Sequence, residues 1–171
     1  MAEYTHVVHT IDPTYDSESR VLVLGSVPSP KSRETGYNYG HPQNRFWRVL
    51  AAIAAEEVPQ TNEEKRSFCL RHRIALWDVV KECDIKGASD TSIKNPVPNP
   101  LSEILEVAPI EAIYCTGAKA HALYGRLCEK ELGRPAIKLP STSPANAACS
   151  FDRLVEAYSD IFTHTHGNEE A

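Results

Sequence analysis

The sequence predicts an α/β fold, a three-layer α/β/α sandwich around a short, mainly parallel four-stranded sheet. Short apolar runs recur along the chain, each is followed by a loop rich in Gly, Pro, Ser or Asp, and helical patterns lie between them. Unbroken apolar runs are typical of parallel strands buried on both faces, and strand–helix alternation implies right-handed crossovers. The predicted strands are residues 21–24, Ile74–Trp77, Ala112–Cys115 and Ala136–Leu139.

Five helices are predicted around these strands. The first covers about residues 45–56, where apolar side chains recur at helical spacing. The second opens on a capping box at Thr61–Glu64, and the third begins at Asn99, an N-cap followed by proline. The fourth covers about residues 119–132 and ends at a glycine, and the last covers about residues 151–162.

The length and composition predict one globular domain. The chain has 171 residues, of which 42% are hydrophobic and 24% charged. We expect residues 1–19 to form an N-terminal extension and residues 163–171 a frayed, polar tail. The sequence has neither a signal peptide nor the roughly 20 consecutive apolar residues of a membrane span, so we expect a cytoplasmic protein. A monomer is the default expectation, since the sequence leaves the oligomeric state open.

The five cysteines predict no metal, cluster or disulfide framework. Their number is odd and no two have the C-x-x-C spacing. We expect most of them to be small buried hydrophobic residues. No cofactor is predicted.

The charge of the chain is unevenly distributed. The net charge of −5 argues weakly against a nucleic-acid partner, yet residues 20–50 contain five Lys or Arg and a single acidic residue. A phosphate-bearing ligand and a solvated basic face both fit this pattern.

Residues 25–47, which read GSVPSPKSRETGYNYGHPQNRFW, form the most informative segment. They follow the first strand, and open α/β sheets bind ligands at the carboxyl ends of their strands. Gly25 allows a sharp turn and close approach of a ligand, which makes Gly25 and Ser26 candidate binding residues. An ordinary strand-to-loop turn is the alternative, and the glycine-rich phosphate-binding fingerprints are absent.

The end of this segment, HPQNRFW, is more specific. Asn44 fits the N-cap of the first helix, and Phe46 and Trp47 fit its core face. Capping does not explain the aromatic approach that contains Tyr39 and His41. A nucleobase can stack on an aromatic ring, a contact worth about 1–3 kcal/mol.

Two further loops follow predicted strands. Residues 140–147, PSTSPANA, follow the last strand and either bind phosphate or cap the final helix. The candidate DNA-binding residues of this loop are Ser141, Thr142, Ser143 and Asn146. Asp78 follows another strand, and it either contacts the edge of a base or caps the next turn.

Five segments, GSVPS, YNYGHPQNRFW, ALWDVV, GASDTSI and PSTSPANA, resemble in this order the uracil-DNA glycosylase superfamily, and most closely its hypoxanthine-DNA glycosylase family. The resemblance covers about residues 6–160. It implies a parallel four-stranded sheet and hydrolysis of the bond between deoxyribose and a damaged base that has been extruded from the duplex. It implies neither a metal nor a cofactor.

The resemblance assigns the catalytic role to Asn44. Because an amide has no basic lone pair at neutral pH, Asn44 would orient a water molecule rather than act as a strong base. Tyr39 is then expected to stack on the extruded base, and Ser26 and Asp78 to contact its edges. The hydroxyls of the 140–147 loop are expected to bind DNA phosphates.

The sequence departs from common superfamily patterns at three positions. Val27 stands where many members have Asp or Asn, Ser141 where the uracil enzymes have His, and Ala145 where a leucine often wedges into the DNA. A uracil or mismatch-specific glycosylase and a catalytically weak DNA-binding homologue are therefore the alternatives. A nucleotide-binding α/β protein of another kind would lack its phosphate fingerprint.

Overall fold

The described part of the chain forms two sheets, with helices packed on both faces of the larger one. The computed structural model describes residues 3–8, 11–87 and 89–165, and for residues 90 and 165 it describes the backbone alone. In chain order, the elements are β1 Thr5–Val8, β2 Val21–Gly25, α1 Pro30–Thr35, α2 Phe46–Ala54, α3 Asn62–Arg71, β3 Ile74–Asp78, β4 Val80–Ile85, β5 Lys94–Pro98, α4 Ser102–Val107, β6 Ala112–Thr116, α5 Ala118–Leu127, α6 Glu129–Leu132, β7 Ile137–Leu139 and α7 Phe151–Thr165.

The predicted four-stranded parallel sheet is confirmed, with each strand within one residue of its predicted bounds. Its strand order is β3-β2-β6-β7, and every described pairing in it is parallel. Leu22 and Leu24 of β2 face one hydrophobic core, while Val21 and Val23 face the other. Because successive side chains of a strand point to opposite faces, this sheet is the middle layer of the fold.

Helices and a second sheet cover the two faces. Leu50 of α2, Phe68 of α3 and Leu154 of α7 pack on one face. Ile104 of α4 and Leu123 of α5 pack on the other, together with side chains from the second sheet. The predicted three-layer arrangement is therefore confirmed, with an additional sheet in one outer layer.

The second sheet was not predicted. It is antiparallel, with the order β1-β4-β5, and β1 lies within the expected N-terminal extension. β4 alternates buried with more exposed residues, and β5 contains two prolines and is mostly exposed. Such strands show no continuous apolar run, which is why a search for buried parallel strands misses them.

Several predicted helix bounds are corrected. The capping box of α3 is present, with Thr61 and Glu64 bonded reciprocally. Asn99 does not cap α4, which begins at Ser102, because its side chain donates instead to the Asp78 carbonyl at 2.8 Å. The fourth predicted helix is interrupted at Cys128 and forms α5 and α6. α7 continues through residues 163–165 of the expected tail, and residues 166–171 lie outside the described part of the chain.

Four of the cysteines are buried, as predicted, and Cys149 is partly exposed. Burial raises the pKa of the Cys69 and Cys115 thiols to about 12. These thiols are therefore protonated and unreactive at neutral pH. None of the helices that the structure describes is long and apolar enough to cross a membrane.

Gly125 offers a test of the helix packing. It lies inside α5, and a β-carbon built there would meet no atom within 4 Å. We expect Gly125→Ala to raise the free energy of unfolding by about 0.5–1 kcal/mol, because alanine restricts the unfolded chain at no steric cost. Chemical denaturation measures the change, and a loss of stability would show that this face of α5 is covered.

Candidate active site

A cavity of about 340 Å³ opens at the carboxyl edge of the parallel sheet. Its wall is formed by residues 25–30 after β2, by parts of the 32–44 segment, by the ends of β3 and β6, by the β4–β5 hairpin and by residues 141–145 after β7. The volume lies at the lower end of the range of about 300–1,000 Å³ that is typical of small-molecule sites. Nine of the ten predicted site residues line this cavity, all except Asn146.

Asn44 lies in the cavity wall at the start of α2. Its Oδ1 accepts a hydrogen bond of 2.9 Å from the Phe46 backbone N–H, so it satisfies a donor of the first turn of α2. The N-cap position itself is Arg45, which makes no side-chain capping bond, so the predicted N-cap is corrected by one residue. An amide oxygen has two lone pairs and the amide nitrogen carries two protons, so Asn44 can also hold a water molecule in the cavity. The two interpretations of Asn44 are thus compatible, and its role toward water stays a prediction.

The Tyr39 side chain is held by a stacking contact of its ring and by a hydrogen bond of its hydroxyl. It stacks on Phe46 with the ring centroids 3.8 Å apart and an angle of 13° between the planes. Its hydroxyl lies 2.7 Å from Thr116 Oγ1, and Thr116 in turn donates to the Leu24 carbonyl. The Tyr39 hydroxyl is therefore the donor of the first of these bonds. One face of the ring is covered by Phe46, and Tyr39 also lines the cavity.

The backbone and hydroxyl of Tyr39 are both unusual. Its φ is 57°, in the left-handed region that few non-glycine residues adopt. Burial, followed by the neighbouring Asp78 carboxyl, raises the pKa of Tyr39 well above its ordinary value. The hydroxyl is therefore neutral at physiological pH. A strained backbone that is held in place by tertiary contacts is common at functional sites.

Asp78 and Asn38 form a buried polar pair beside this ring. Both are 3% exposed, and Asn38 Nδ2 donates to Asp78 Oδ2 at 2.6 Å. A β-carbon added to Gly25 would lie 2.7 Å from Asp78 Oδ1 and 3.3 Å from the Tyr39 hydroxyl. Glycine is thus required at position 25 because the Asp78 carboxyl approaches its backbone closely.

The 140–147 loop presents hydroxyls to the cavity, although part of it serves its own structure. Ser141 Oγ accepts from the Ser143 N–H at 3.1 Å, and Ser143 Oγ accepts from the Ala145 N–H at 3.2 Å. Asn146 Nδ2 donates to the Ser141 carbonyl at 3.0 Å. Its amide therefore stabilises the loop and does not line the cavity.

Thr142 lines the cavity but is almost entirely buried. It is 1% exposed, and its side chain forms a hydrogen bond with Tyr158. Its hydroxyl is thus engaged within the protein, and its contact with DNA stays a prediction. The loop does not cap α7, because Ser150 Oγ accepts from the Arg153 N–H at the start of that helix.

Arg45 connects this loop to the start of α2. Its guanidinium donates to the Cys149 carbonyl at 2.7 Å and to the Asn146 carbonyl at 3.1 Å. Its backbone N–H donates to the Thr142 carbonyl at 3.1 Å. The residue beside Asn44 therefore holds the opposite wall of the cavity in position.

Ser26 and His41 complete the predicted set. Ser26 is 9% exposed, and its carbonyl accepts from the Val80 N–H at 3.0 Å. His41 is exposed, and its Nδ1 accepts from the Gln43 N–H at 3.1 Å. A neutral His41 therefore carries its proton on Nε2 and can donate from that atom.

The basic excess of residues 20–50 is mostly used by the protein itself. Arg33, Arg45 and Arg48 donate to backbone carbonyls, and Lys31 pairs with Glu34 at 3.6 Å. These cations stabilise the loops around the cavity. The charge pattern of the sequence alone therefore does not locate a phosphate site.

Three kinds of residue in the cavity wall are not among the predicted site residues. Asn38 lies between two tyrosines and has no local sequence signal of a site. Thr116 lies at the end of β6, so its position at a strand end is the signal that identifies it. Ile85 and Gly87 line the cavity from the β4–β5 hairpin, which was not predicted.

Comparisons with known proteins identify relatives of this chain. The family model described as the Uracil DNA glycosylase superfamily matches residues 13–162. A protein of Methanosarcina acetivorans named hypoxanthine DNA glycosylase is 33% identical over 150 residues, which cover 87% of this chain and 94% of that protein. A protein of the same name from Methanosarcina barkeri is 36% identical over 135 residues, 78% of this chain and 85% of its own length.

A solved structure has the same fold. It is a solution NMR structure from Methanosarcina acetivorans, described as a candidate uracil DNA glycosylase, with 31% sequence identity and a TM-score of 0.78. The match covers 92% of this chain and 98% of the other. The resemblance noted from the sequence motifs is thereby confirmed, and the chain belongs to the uracil DNA glycosylase superfamily.

Proposed function

We propose that this chain is a DNA glycosylase that hydrolyses the N-glycosidic bond of deaminated bases, with hypoxanthine as the main substrate and uracil as a second one. It would act as a cytoplasmic monomer without a metal or cofactor. The observation that carries the proposal is the convergence of Asn44, Tyr39 and the Asp78–Asn38 pair on one cavity at the sheet edge. The relatives that span most of the chain are named hypoxanthine DNA glycosylases, which supports the same activity.

The Asp78–Asn38 pair fits the edge of a deaminated base. Deamination of adenine replaces the exocyclic amine with a carbonyl and places a proton on the adjacent ring nitrogen. The Asp78 carboxyl would accept a hydrogen bond from that N–H, and the second amide proton of Asn38 would be directed at the carbonyl. Adenine presents the opposite pattern, so that its ring nitrogen, an acceptor, would face the Asp78 carboxyl and its amine, a donor, would face the Asn38 amide, which costs affinity.

Hydrolysis would proceed by departure of the base before water attacks. Asn44 holds the water and directs it at the anomeric carbon, while the negative phosphates of the DNA stabilise the cationic sugar. The backbone N–H groups of the 25–29 segment stabilise the departing base, a preorganised electrostatic contribution. The half-buried Val27 offers no polar group for this step, which leaves Asn44 as the residue that orients water.

The departures at Ser141 and Ala145 favour hypoxanthine over efficient removal of uracil from duplex DNA. A serine cannot place an imidazole against the departing base, and the exposed Ala145 is too small to fill the gap left by an extruded nucleotide. We therefore expect the activity to be higher on lesions in weakly paired or single-stranded contexts, where extrusion costs less.

An excision panel tests the proposed function. Oligonucleotides that carry one deoxyinosine, uracil or xanthine, each paired and unpaired, are incubated with the protein and then treated with alkali. We expect strand cleavage at deoxyinosine above all. Cleavage at uracil with none at deoxyinosine would identify a uracil enzyme instead, and no cleavage at any lesion would identify a DNA-binding homologue without activity.

Tyr39→Ala is expected to weaken binding to lesion-containing DNA by about 1–3 kcal/mol, because it removes the ring on which the extruded base would stack. Tyr39→Phe is the matched control, since it keeps the ring on Phe46 and loses only the bond to Thr116. Fluorescence anisotropy compares the three proteins on one oligonucleotide. Equal affinities of the wild type and Tyr39→Ala would remove Tyr39 from the base-binding wall.

A further inference from the structure

The antiparallel sheet carries a cationic and aromatic patch on its exposed face. Lys86 Nζ lies 4.8 Å from the centroid of the Tyr4 ring, and Lys94 Nζ lies 4.5 Å from the same centroid. Tyr4 is 38% exposed, and both lysines are exposed. We call these three residues the tyrosine–lysine patch. Tyr4 lies just before β1, Lys86 just after β4 and Lys94 at the start of β5, so the patch forms only when the sheet does.

The acidic residues of this sheet are occupied by other partners. His6 lies 2.8 Å from Asp84 and 3.0 Å from Glu82, and Asn95 donates to Asp84 at 2.9 Å. Within the described residues, neither ammonium of the patch forms an ion pair with a carboxylate. The face is therefore divided, with its two hydrogen-bonded carboxylates toward the middle of β4 and, at the hairpin end, two cations that form no ion pair with the described residues.

Two ammonium groups beside one ring repel each other. The ring offsets part of this repulsion through its negative face. A phosphate bound at the patch would offset more of it, because its oxygens accept charge-assisted hydrogen bonds from ammonium groups. The arrangement therefore favours an anion of the size and charge of a DNA phosphate over a neutral ligand.

The patch lies next to the cavity. Lys86 stands between Ile85 and Gly87, which both line the cavity wall. Adjacent Cα atoms are about 3.8 Å apart, so the Lys86 backbone lies at the cavity rim, while its side chain lies beside Tyr4 on the exposed face of the sheet. Duplex DNA carries a phosphate charge for about every 1.7 Å of its axis, so a strand whose nucleotide occupies the cavity places phosphates within reach of this rim.

We propose that the tyrosine–lysine patch binds the sugar–phosphate backbone of the DNA strand that flanks the extruded nucleotide. The proposal rests on the proposed function for the identity of the polyanion. It gives the antiparallel sheet a role in substrate binding. The patch would also supply free cations near the cavity, where the basic residues of the surrounding loops are engaged in contacts within the protein.

The salt dependence of DNA binding tests this proposal. We expect the Lys86→Gln/Lys94→Gln protein to show a plot of log Kobs against log salt that is less steep by about 1.8 for duplex DNA, or by about 1.4 for a single strand. The ratio of wild-type to variant affinity for duplex DNA should then shrink about twelvefold between about 50 mM and about 200 mM salt. The Lys86→Arg/Lys94→Arg protein, which keeps both charges, should retain the wild-type slope.

A second pair of cations provides the matched control. Arg126 and Lys130 are exposed near the end of α5 and in α6, where the chain has returned toward the amino edge of the sheet, away from the cavity. Arg126→Gln/Lys130→Gln removes the same charge and should leave the slope unchanged. Circular dichroism of each variant verifies that it is folded.

The outcomes separate this proposal from the proposed function. A wild-type protein that excises bases, together with a Lys86→Gln/Lys94→Gln slope equal to the wild-type slope, would overturn the patch and leave the proposed function intact. An equal change of slope in the Arg126→Gln/Lys130→Gln control would also overturn it, because the effect would then come from net charge. If the Lys86→Gln/Lys94→Gln protein shows the expected change of slope but the wild type releases no base, the proposed function alone would be overturned.

Discussion

Replacement of Asn44 with alanine is expected to slow single-turnover base release at least about 100-fold, the scale of losing one oriented catalytic group. The amide is the polar side chain that the cavity wall offers at the start of α2, and alanine cannot hold a water molecule there. The substitution also removes the bond from the Phe46 N–H, which should cost about 1 kcal/mol of stability. The measurement uses enzyme in excess over a deoxyinosine oligonucleotide, so that binding does not limit the rate.

A substitution at the start of another helix provides a control that separates the effect on catalysis from the effect on stability. Thr61 caps α3 through a bond to the Glu64 N–H at 3.0 Å and lies outside the cavity wall. Thr61→Ala should therefore lose about as much stability as Asn44→Ala while it excises bases at the wild-type rate. Near-normal excision by a folded Asn44→Ala protein would limit Asn44 to its capping role.

The second large effect is expected at Gly25. Gly25→Ala places a β-carbon 2.7 Å from Asp78 Oδ1, so the buried carboxyl or the end of β2 must move. We expect a loss of about 1–3 kcal/mol in the free energy of unfolding, as for other overpacked interiors. Excision should fall by up to about 100-fold, because a displacement of about 1 Å in a positioning group is costly.

Gly125→Ala is the control for this substitution. It adds the same methyl group at a helical glycine with open space around it, and it should leave excision unchanged. If Gly25→Ala proved as stable and active as Gly125→Ala, the Asp78 carboxyl would not be held against the β2 turn. Chemical denaturation and single-turnover excision of both proteins provide the comparison.

The parts of the fold that could be predicted are those in which local sequence and tertiary burial agree. Strand β2 has all five residues buried, so its apolar run reveals both its conformation and its place in the sheet. The capping box at Thr61 specifies the start of α3 by local hydrogen bonds. By contrast, β5 depends on its pairing with β4, and its prolines conceal that pairing from any local pattern.

The residues of the candidate site also differ in whether local sequence identifies them or only a contact with a distant residue does. Asn44 and Asp78 could be identified because a helix start and a strand end have recognisable sequences. Asn38 could not, since its importance arises from a contact with Asp78, 40 residues away. The burial of Thr142 has no local signal either, because the loop sequence does not distinguish it from the more exposed Ser141 and Ser143, which line the same cavity.

The most direct test of the central claim is detection of the released base. A deoxyinosine oligonucleotide is incubated with the wild type and with Asn44→Ala, and the products are separated by chromatography and identified by mass. We predict free hypoxanthine and an abasic strand in equal amounts with the wild type, and at least about 100-fold slower release with Asn44→Ala. Absence of free hypoxanthine from the wild-type reaction, on an oligonucleotide that the protein binds, would contradict the account.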